Sequence, residues 1–254
     1  MEKKNEKFIL VHSAWLGAWQ WRNVQAILEY TGHSVICPDL SGHGNDQTPI
    51  EEVTMEHYLK VLTDLIDELE EPIILVGHNF NGITVTKAAD LRPDKVKAIV
   101  YLTAVLVPNG VSFLTAFQGF KGSIAVDNFY IPEEKTSVMI QSDQIHAAFA
   151  HDVPEKLLKK YQPLLNPEPL KPLMYELNVD EAIMKRIPKF YIECVDDRAI
   201  PIDEQIQMYL GKVQKIYTLH TSHLPVFSKP EKVAGILLDV VNQLEINELK
   251  KNLN

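Results

Sequence analysis

The sequence predicts one α/β domain: a mostly parallel central sheet with helices on both faces. Short apolar runs and helical stretches alternate through the first part of the chain. The runs are continuous, the pattern of strands covered on both faces. A length of 254 residues and a hydrophobic content of 46% suffice for one large buried core with room for an insertion.

Phe8-Ile9-Leu10-Val11-His12 is the first expected strand. A loop over residues 13–17 leads to a helix over about 19–30, with Val24, Ile27 and Leu28 at helical spacing and Gly32 ending it. Ser34-Val35-Ile36-Cys37 is the second strand, running into the turn-rich Pro38-Asp39-Leu40-Ser41-Gly42-His43-Gly44. Thr54 reads as the N-cap of a helix carrying Tyr58, Leu59, Leu62, Leu65, Ile66 and Leu69, which Pro72 breaks. Ile73-Ile74-Leu75-Val76 then leads into the glycine-flanked turn Gly77-His78-Asn79-Phe80-Asn81-Gly82 and a helix over 83–91. Pro93 stops that helix, and the run from Val96 to Leu102 is the next strand. This order implies a parallel sheet.

Over residues 108–186 the alternation fails, and no core strand is expected. Phe113, Phe117, Phe120, Phe129 and Tyr130, helical stretches over 133–140 and 154–161, and Pro163, Pro167, Pro169 and Pro172 read as a helical lid inserted in the domain. The alternative is a packing layer without a ligand role. The scaffold resumes with a strand over 189–194, a helix near 204–209, a strand over 215–219 and a final helix opening at Pro230-Glu231. That helix carries Val233, Ile236, Leu237, Val240, Val241 and Leu244, and residues 250–254 read as a frayed end.

A net charge of −9 argues against nucleic acid or an anionic membrane as partner, and the mixed charges read as a soluble surface. Cys37 and Cys194, both in expected strands, read as buried thiols. Residues 1–7 are charged, with no apolar signal region after them, and no run approaches a membrane span, so a cytoplasmic protein is expected. No His, Cys, Asp and Glu set has metal-ligand spacing, and the one glycine-rich turn lacks the lysine and hydroxyl of a phosphate loop. The expected partner is thus a small molecule, without metal or cofactor; a homodimer is left open.

In a parallel sheet, functional groups collect beyond the carboxyl ends of the strands. Four loops qualify: His12 to Trp19, the turn around Asn79, Val195-Asp196-Asp197-Arg198, and Thr221-Ser222-His223. A histidine such as His223 can be an ordinary loop residue, and Asp196 and Asp197 can be turn formers. A strand–turn–helix upstream and an acid after the preceding core strand make His223 the candidate base and one of the two aspartates its orienting acid. The backbone N–H groups of Ala14 and Phe80 are candidates for an oxyanion hole, and Ser13 and Trp15 for substrate contact. His78 is expected to pack at the turn, His12 to shape its loop and His43 to be structural.

These segments carry a resemblance. The motifs are the run from Phe8 to Trp19, Pro38 to Gly44, Ile73 to His78, Cys194-Val195-Asp196-Asp197-Arg198-Ala199-Ile200-Pro201 and Ser222 to Pro230. Together they resemble α/β-hydrolases of the plant methylesterase and hydroxynitrile lyase group and their bacterial esterase relatives. The resemblance covers nearly the whole chain and is loosest over 108–186. It implies an α/β-hydrolase fold, a Ser–His–Asp triad on a nucleophile elbow, and Asp197 as the acid. The lyases of that group carry a threonine in the first loop and a lysine directly after the histidine. Ser13 and Leu224 stand there, so the esterase side fits better.

The departure is Asn79, at the place of the nucleophilic serine. An amide nitrogen has its lone pair delocalised into the carbonyl and cannot serve as that nucleophile. Asn81 stands where the group has glycine; asparagine tolerates left-handed backbone, so the elbow is expected to survive as a shape. Four readings follow: a serine deliberately replaced; a relative that binds a small molecule without turnover; general-base chemistry by His223 without a covalent intermediate; or conversion of Asn79 to aspartate, a route the following Phe80 slows.

Overall fold

The computed structural model describes residues 5–252. In chain order the strands are β1 (Lys7–Val11), β2 (Ser34–Ile36), β3 (Ile73–His78), β4 (Val96–Leu102), β5 (Phe129–Tyr130), β6 (Ser137–Ile140), β7 (Glu168–Pro169), β8 (Lys189–Cys194) and β9 (Lys215–Leu219). Six form the central sheet in the order β2-β1-β3-β4-β8-β9, with every neighbouring pair parallel. β3 lies in the middle and is buried along its whole length, which explains its unbroken apolar pattern. The helices Arg22–Tyr30 and Pro230–Asn252 pack together, and Met55–Glu68 packs with Asn81–Leu91. Every core strand expected from the sequence is present.

Several boundaries differ from expectation. Residues 18–21 form a 3-10 turn before the helix Arg22–Tyr30. Thr54 does cap Met55–Glu68, with His57 completing a capping box, but that helix stops at Glu68, ahead of Pro72. Cys37 lies just beyond β2 and is half-buried, while Cys194 is buried in β8; both are free thiols. Burial, reinforced by Glu29 and Asp39, pushes the Cys37 thiol up to about 12. The final helix runs through Asn252; Leu253 and Asn254 of the expected frayed end lie outside the described residues, as do residues 1–4 of the charged N-terminal segment. No helix among the described residues is long and apolar enough to cross a membrane.

The segment between β4 and β8 is not purely helical. It contains a small antiparallel sheet, β5-β6-β7, besides short helices such as Ile145–Phe149 and Glu155–Tyr161. The helix expected over 133–140 is instead a turn, in which Lys135 N–H donates to the Pro132 carbonyl at 3.0 Å, followed by β6. Ser137-Val138-Met139-Ile140 is too short an apolar run for periodicity to separate helix from strand, and pairing on both sides decides for strand.

Glu168, on β7, fastens this segment to the scaffold. It is fully buried, and its Oε2 accepts from Trp15 N–H at 2.8 Å and lies 2.9 Å from His43 Nε2. Its Oε1 accepts from the Tyr58 hydroxyl at 3.1 Å. Burial works against a charged His43, but the charge and hydrogen bond of Glu168 outweigh it and raise the imidazole above its ordinary pKa. Glu168→Ala removes a carboxylate from three partners and should cost about 3–5 kcal/mol of unfolding free energy, read by urea titration. Glu168→Gln, which keeps part of the bonding, should cost less. A raised folded-state pKa gives stability that is full below the ordinary histidine value, about 6.5, and is lost as pH rises through the folded value. The stability advantage of the wild type over His43→Gln should therefore shrink as pH is raised above neutrality.

Candidate functional site

The turn after β3 brings the chain from strand to helix in two residues, Asn79 and Phe80. Asn79 has φ of 57° and is thus left-handed, which asparagine tolerates better than most residues. Asn81 is helical, so tolerance of left-handed backbone is needed only at Asn79. Two close approaches around the turn need glycine: Gly77 where β3 meets the helix, and Gly82 where the helix meets the chain just after β4. A Cβ on Gly82 would lie 2.5 Å from the Val105 carbonyl oxygen, and one on Gly77 would lie 2.7 Å from that of Asn81. Val105 N–H donates to the Asn79 carbonyl at 2.9 Å and holds the turn from β4's side.

The Asn79 side chain spans two groups. Its Oδ1 accepts from Phe80 N–H at 2.5 Å, and its Nδ2 lies 2.7 Å from His223 Nε2. A backbone N–H can only donate, so Oδ1 faces Phe80, and Nδ2–H donates to the imidazole. His223 then carries its proton on Nδ1 and donates it to Asp197 Oδ2 at 2.6 Å. Asp197 also accepts from the Thr103 hydroxyl at 2.6 Å and from the N–H groups of Ala199 and Ile200 at 2.7 and 2.9 Å. Four donors thus surround one buried carboxylate, which compensates its desolvation. Asp196, by contrast, takes no part in this line; its N–H donates to the Thr221 carbonyl.

A buried network fixes the frame around these three residues. Ser13 N–H donates to Gln20 Oε1 at 3.0 Å, Gln20 Nε2 lies 3.2 Å from His78 Nδ1, and His78 Nε2 lies 2.9 Å from the His223 carbonyl oxygen. Burial, aided by the neighbouring His223, holds His78 well below the usual histidine pKa, so it stays neutral and stacks on the His223 ring. His12 is pushed down to about 3 by burial and by His43. Its Nε2 accepts from Leu40 N–H at 3.1 Å and its carbonyl from Asn81 Nδ2 at 2.7 Å. The expected structural uses of His12, His43 and His78 thus each have defined partners.

The loop after β1 approaches the same place. Ala14 is fully buried, and the N–H groups on either side of it are engaged, that of Ser13 by Gln20 and that of Trp15 by Glu168. The Ser13 hydroxyl is buried with no hydrogen-bond partner among the described residues. Trp15 has φ of 62°, a strained value for a bulky residue, held because both its N–H and its carbonyl bond the inserted segment, at Glu168 and Asn166. Its indole Nε1–H donates to the Val138 carbonyl at 2.8 Å.

Trp15 lines a cavity of about 440 Å³, together with Trp19, Phe149, Tyr161, Leu224 and Phe227. Phe149 is the shared wall. Its ring meets Trp15 edge-on at 5.6 Å and His223 edge-on at 5.5 Å, so it stands between the cavity and an imidazole that is fully buried. Asp152, three residues on, accepts from Ser222 N–H at 3.1 Å and from the Ser222 hydroxyl, and so ties the segment to the loop that carries His223. No group of three or more potential metal ligands occurs among the described residues.

This order of strand, turn, helix, acid loop and histidine loop has relatives. The profile of the alpha/beta hydrolase family matches residues 8–236. The chain belongs to the α/β hydrolase family. It is 30% identical to "Putative methylesterase 11, chloroplastic" of Arabidopsis thaliana over 92% of its length, and spans 63% of that longer protein. It is equally 30% identical to methylesterase 2 of the same plant, over 95% of this chain and 98% of that one. The crystal structure of a pyrethroid hydrolase from Sphingobium faniae JZ-2 superimposes with a TM-score of 0.83, at 28% identity over 94% of this chain and 98% of that chain.

The α/β hydrolase frame brings Asn79, Asp197 and His223 into one hydrogen-bonded line, with Phe80 beside it. Sequence reasoning missed Thr103, Phe149, Asp152 and Glu168. Thr103 was findable, since it directly follows β4 at the carboxyl edge of the sheet. The other three lie in the inserted segment, where no pattern marked them. If Phe149 is the barrier, Phe149→Ala should speed modification of His223 by diethylpyrocarbonate several-fold, as read by peptide mass mapping. An unchanged rate would show that access runs elsewhere.

Proposed function

We propose that this chain is a carboxylic ester hydrolase that takes a small apolar or aromatic ester, with its elbow nucleophile replaced by Asn79. The observation that carries the reading is the Asn79–His223–Asp197 line beside an aromatic-walled cavity. The segment over 108–186 acts as the lid, and Ser13 and Trp15 contact the substrate. The relatives named as methylesterases and as a pyrethroid hydrolase support the ester class.

The route these residues support is direct attack by water. His223 Nε2 takes a proton from water as the water oxygen bonds to the ester carbonyl carbon. The resulting oxyanion lies against the N–H groups of Ala14 and Phe80. When the tetrahedral species collapses, the acyl C–O bond breaks and the departing alkoxide takes the proton from His223 Nε2. Acid and alcohol are the products, and no acyl-enzyme forms. For this to happen, the Asn79 carboxamide must first release both Phe80 N–H and His223 Nε2. That requirement favours a second reading, a protein that binds a small molecule without turnover. Lyase-type C–C cleavage finds less support, because Leu224 brings no cation beside His223.

Assay on short aryl and methyl esters separates the readings. Asn79→Ser restores a nucleophile within reach of His223 and should raise kcat/KM by at least about a thousandfold. No gain across a broad ester panel, with the fold intact by circular dichroism, would overturn the ester hydrolase reading. A ligand that raises the melting temperature of both forms without turnover would support the binding reading.

A further inference from the structure

Asn79 sits in its own site as an amide substrate would. Its carbonyl oxygen accepts from Phe80 N–H at 2.5 Å, and its amide nitrogen lies 2.7 Å from the imidazole that Asp197 backs. A donor on the oxygen draws electron density from Cγ, and an imidazole against the nitrogen is where a leaving amine collects its proton. We propose that the folded chain hydrolyses this carboxamide, converting Asn79 to aspartate and releasing ammonia.

The step consumes one water molecule. His223 Nε2 exchanges its bond from Nδ2–H for the water and takes a proton as the water oxygen bonds to Cγ. The carbonyl electron pair moves onto Oδ1, which Phe80 N–H holds. When the pair returns, the Cγ–Nδ2 bond breaks and the nitrogen leaves with the proton from Nε2. The carboxylic acid passes its proton to ammonia, leaving a carboxylate and an ammonium ion; nothing is oxidised or reduced. The product puts an oxygen nucleophile at a position where the carboxamide has none.

The fold works against the competing, sequence-driven route. That route needs the Phe80 nitrogen to attack Cγ and close a cyclic imide. Here Phe80 N–H is committed to Oδ1, and Phe80 has helical angles, φ −51° and ψ −40°. Asn81, followed by Gly82, is the other candidate for imide formation. Its Nδ2 donates to the His12 carbonyl and its Oδ1 accepts from the Thr84 hydroxyl, so its carboxamide is bonded to a carbonyl and a hydroxyl and not, as at Asn79, to an imidazole. The proposal is independent of whether the chain hydrolyses esters.

The test is peptide mass mapping of freshly purified protein held for days near neutral pH, with fragmentation separating Asn79 from Asn81. The expected result is a gain of about one dalton at Asn79, as aspartate without isoaspartate. The gain should be several-fold slower in His223→Ala and Asp197→Asn, and in the wild-type chain held unfolded in urea. The urea comparison needs no variant and stands even if a substitution prevents folding. No gain at Asn79, a gain as fast in the unfolded chain, or isoaspartate among the products would each overturn the proposal.

Discussion

The Asn79 carboxamide, held between Phe80 N–H and His223 Nε2, is the interaction on which the site depends. One planar group engages both a backbone donor, Phe80 N–H, and the His223 imidazole. It also dictates the tautomer of His223, because a donating amide on Nε2 leaves Nδ1 to carry the proton toward Asp197. The geometry needs a left-handed residue between a fully buried strand and a helix that approaches within contact of it; Gly77 makes that approach possible, and Gly82 lets the helix lie against the chain after β4. The α/β hydrolase frame holds at this turn a carboxamide that is hydrogen-bonded to the His223 imidazole.

Two carboxylates of the inserted segment make that frame continuous with the cavity. Glu168 is buried and bonds three partners from separate parts of the scaffold, including the strained Trp15. Asp152 holds Ser222, next to His223. Between them Phe149 covers the imidazole. The segment between β4 and β8 is thus fastened both at the first loop and at the histidine loop, and its Phe149 ring lies against His223.

The scaffold was legible because its physics is local. Continuous apolar runs, a capping threonine and glycine-flanked turns each report on their own neighbourhood, and they placed all six central strands. The meeting of the three candidates was legible for the same reason: Asn79, Asp197 and His223 each come after a strand at the carboxyl edge of the sheet, where the topology gathers them. What escaped was set by distant pairing. Ser137 to Ile140 became a strand only because residues 129–130 and 168–169 lie on either side. Glu168 reads as an ordinary surface acid until the fold buries it against His43 and Tyr58, and nothing near Phe149 in the chain announces that its ring will lie on His223. Cys37 and the Pro72 boundary were missed by only a few residues, as expected where helix and strand ends have several adequate stops.

The claim that the Asn79 carboxamide engages the base is tested most directly by nitrogen-resolved NMR of the histidine rings. The account predicts that His223 is protonated at Nδ1, with that proton strongly hydrogen-bonded to Asp197, and that Nε2 is an unprotonated acceptor whose shift changes on Asn79→Ala. A His223 ring protonated at Nε2, or an Nε2 resonance indifferent to the removal of the carboxamide, would contradict it.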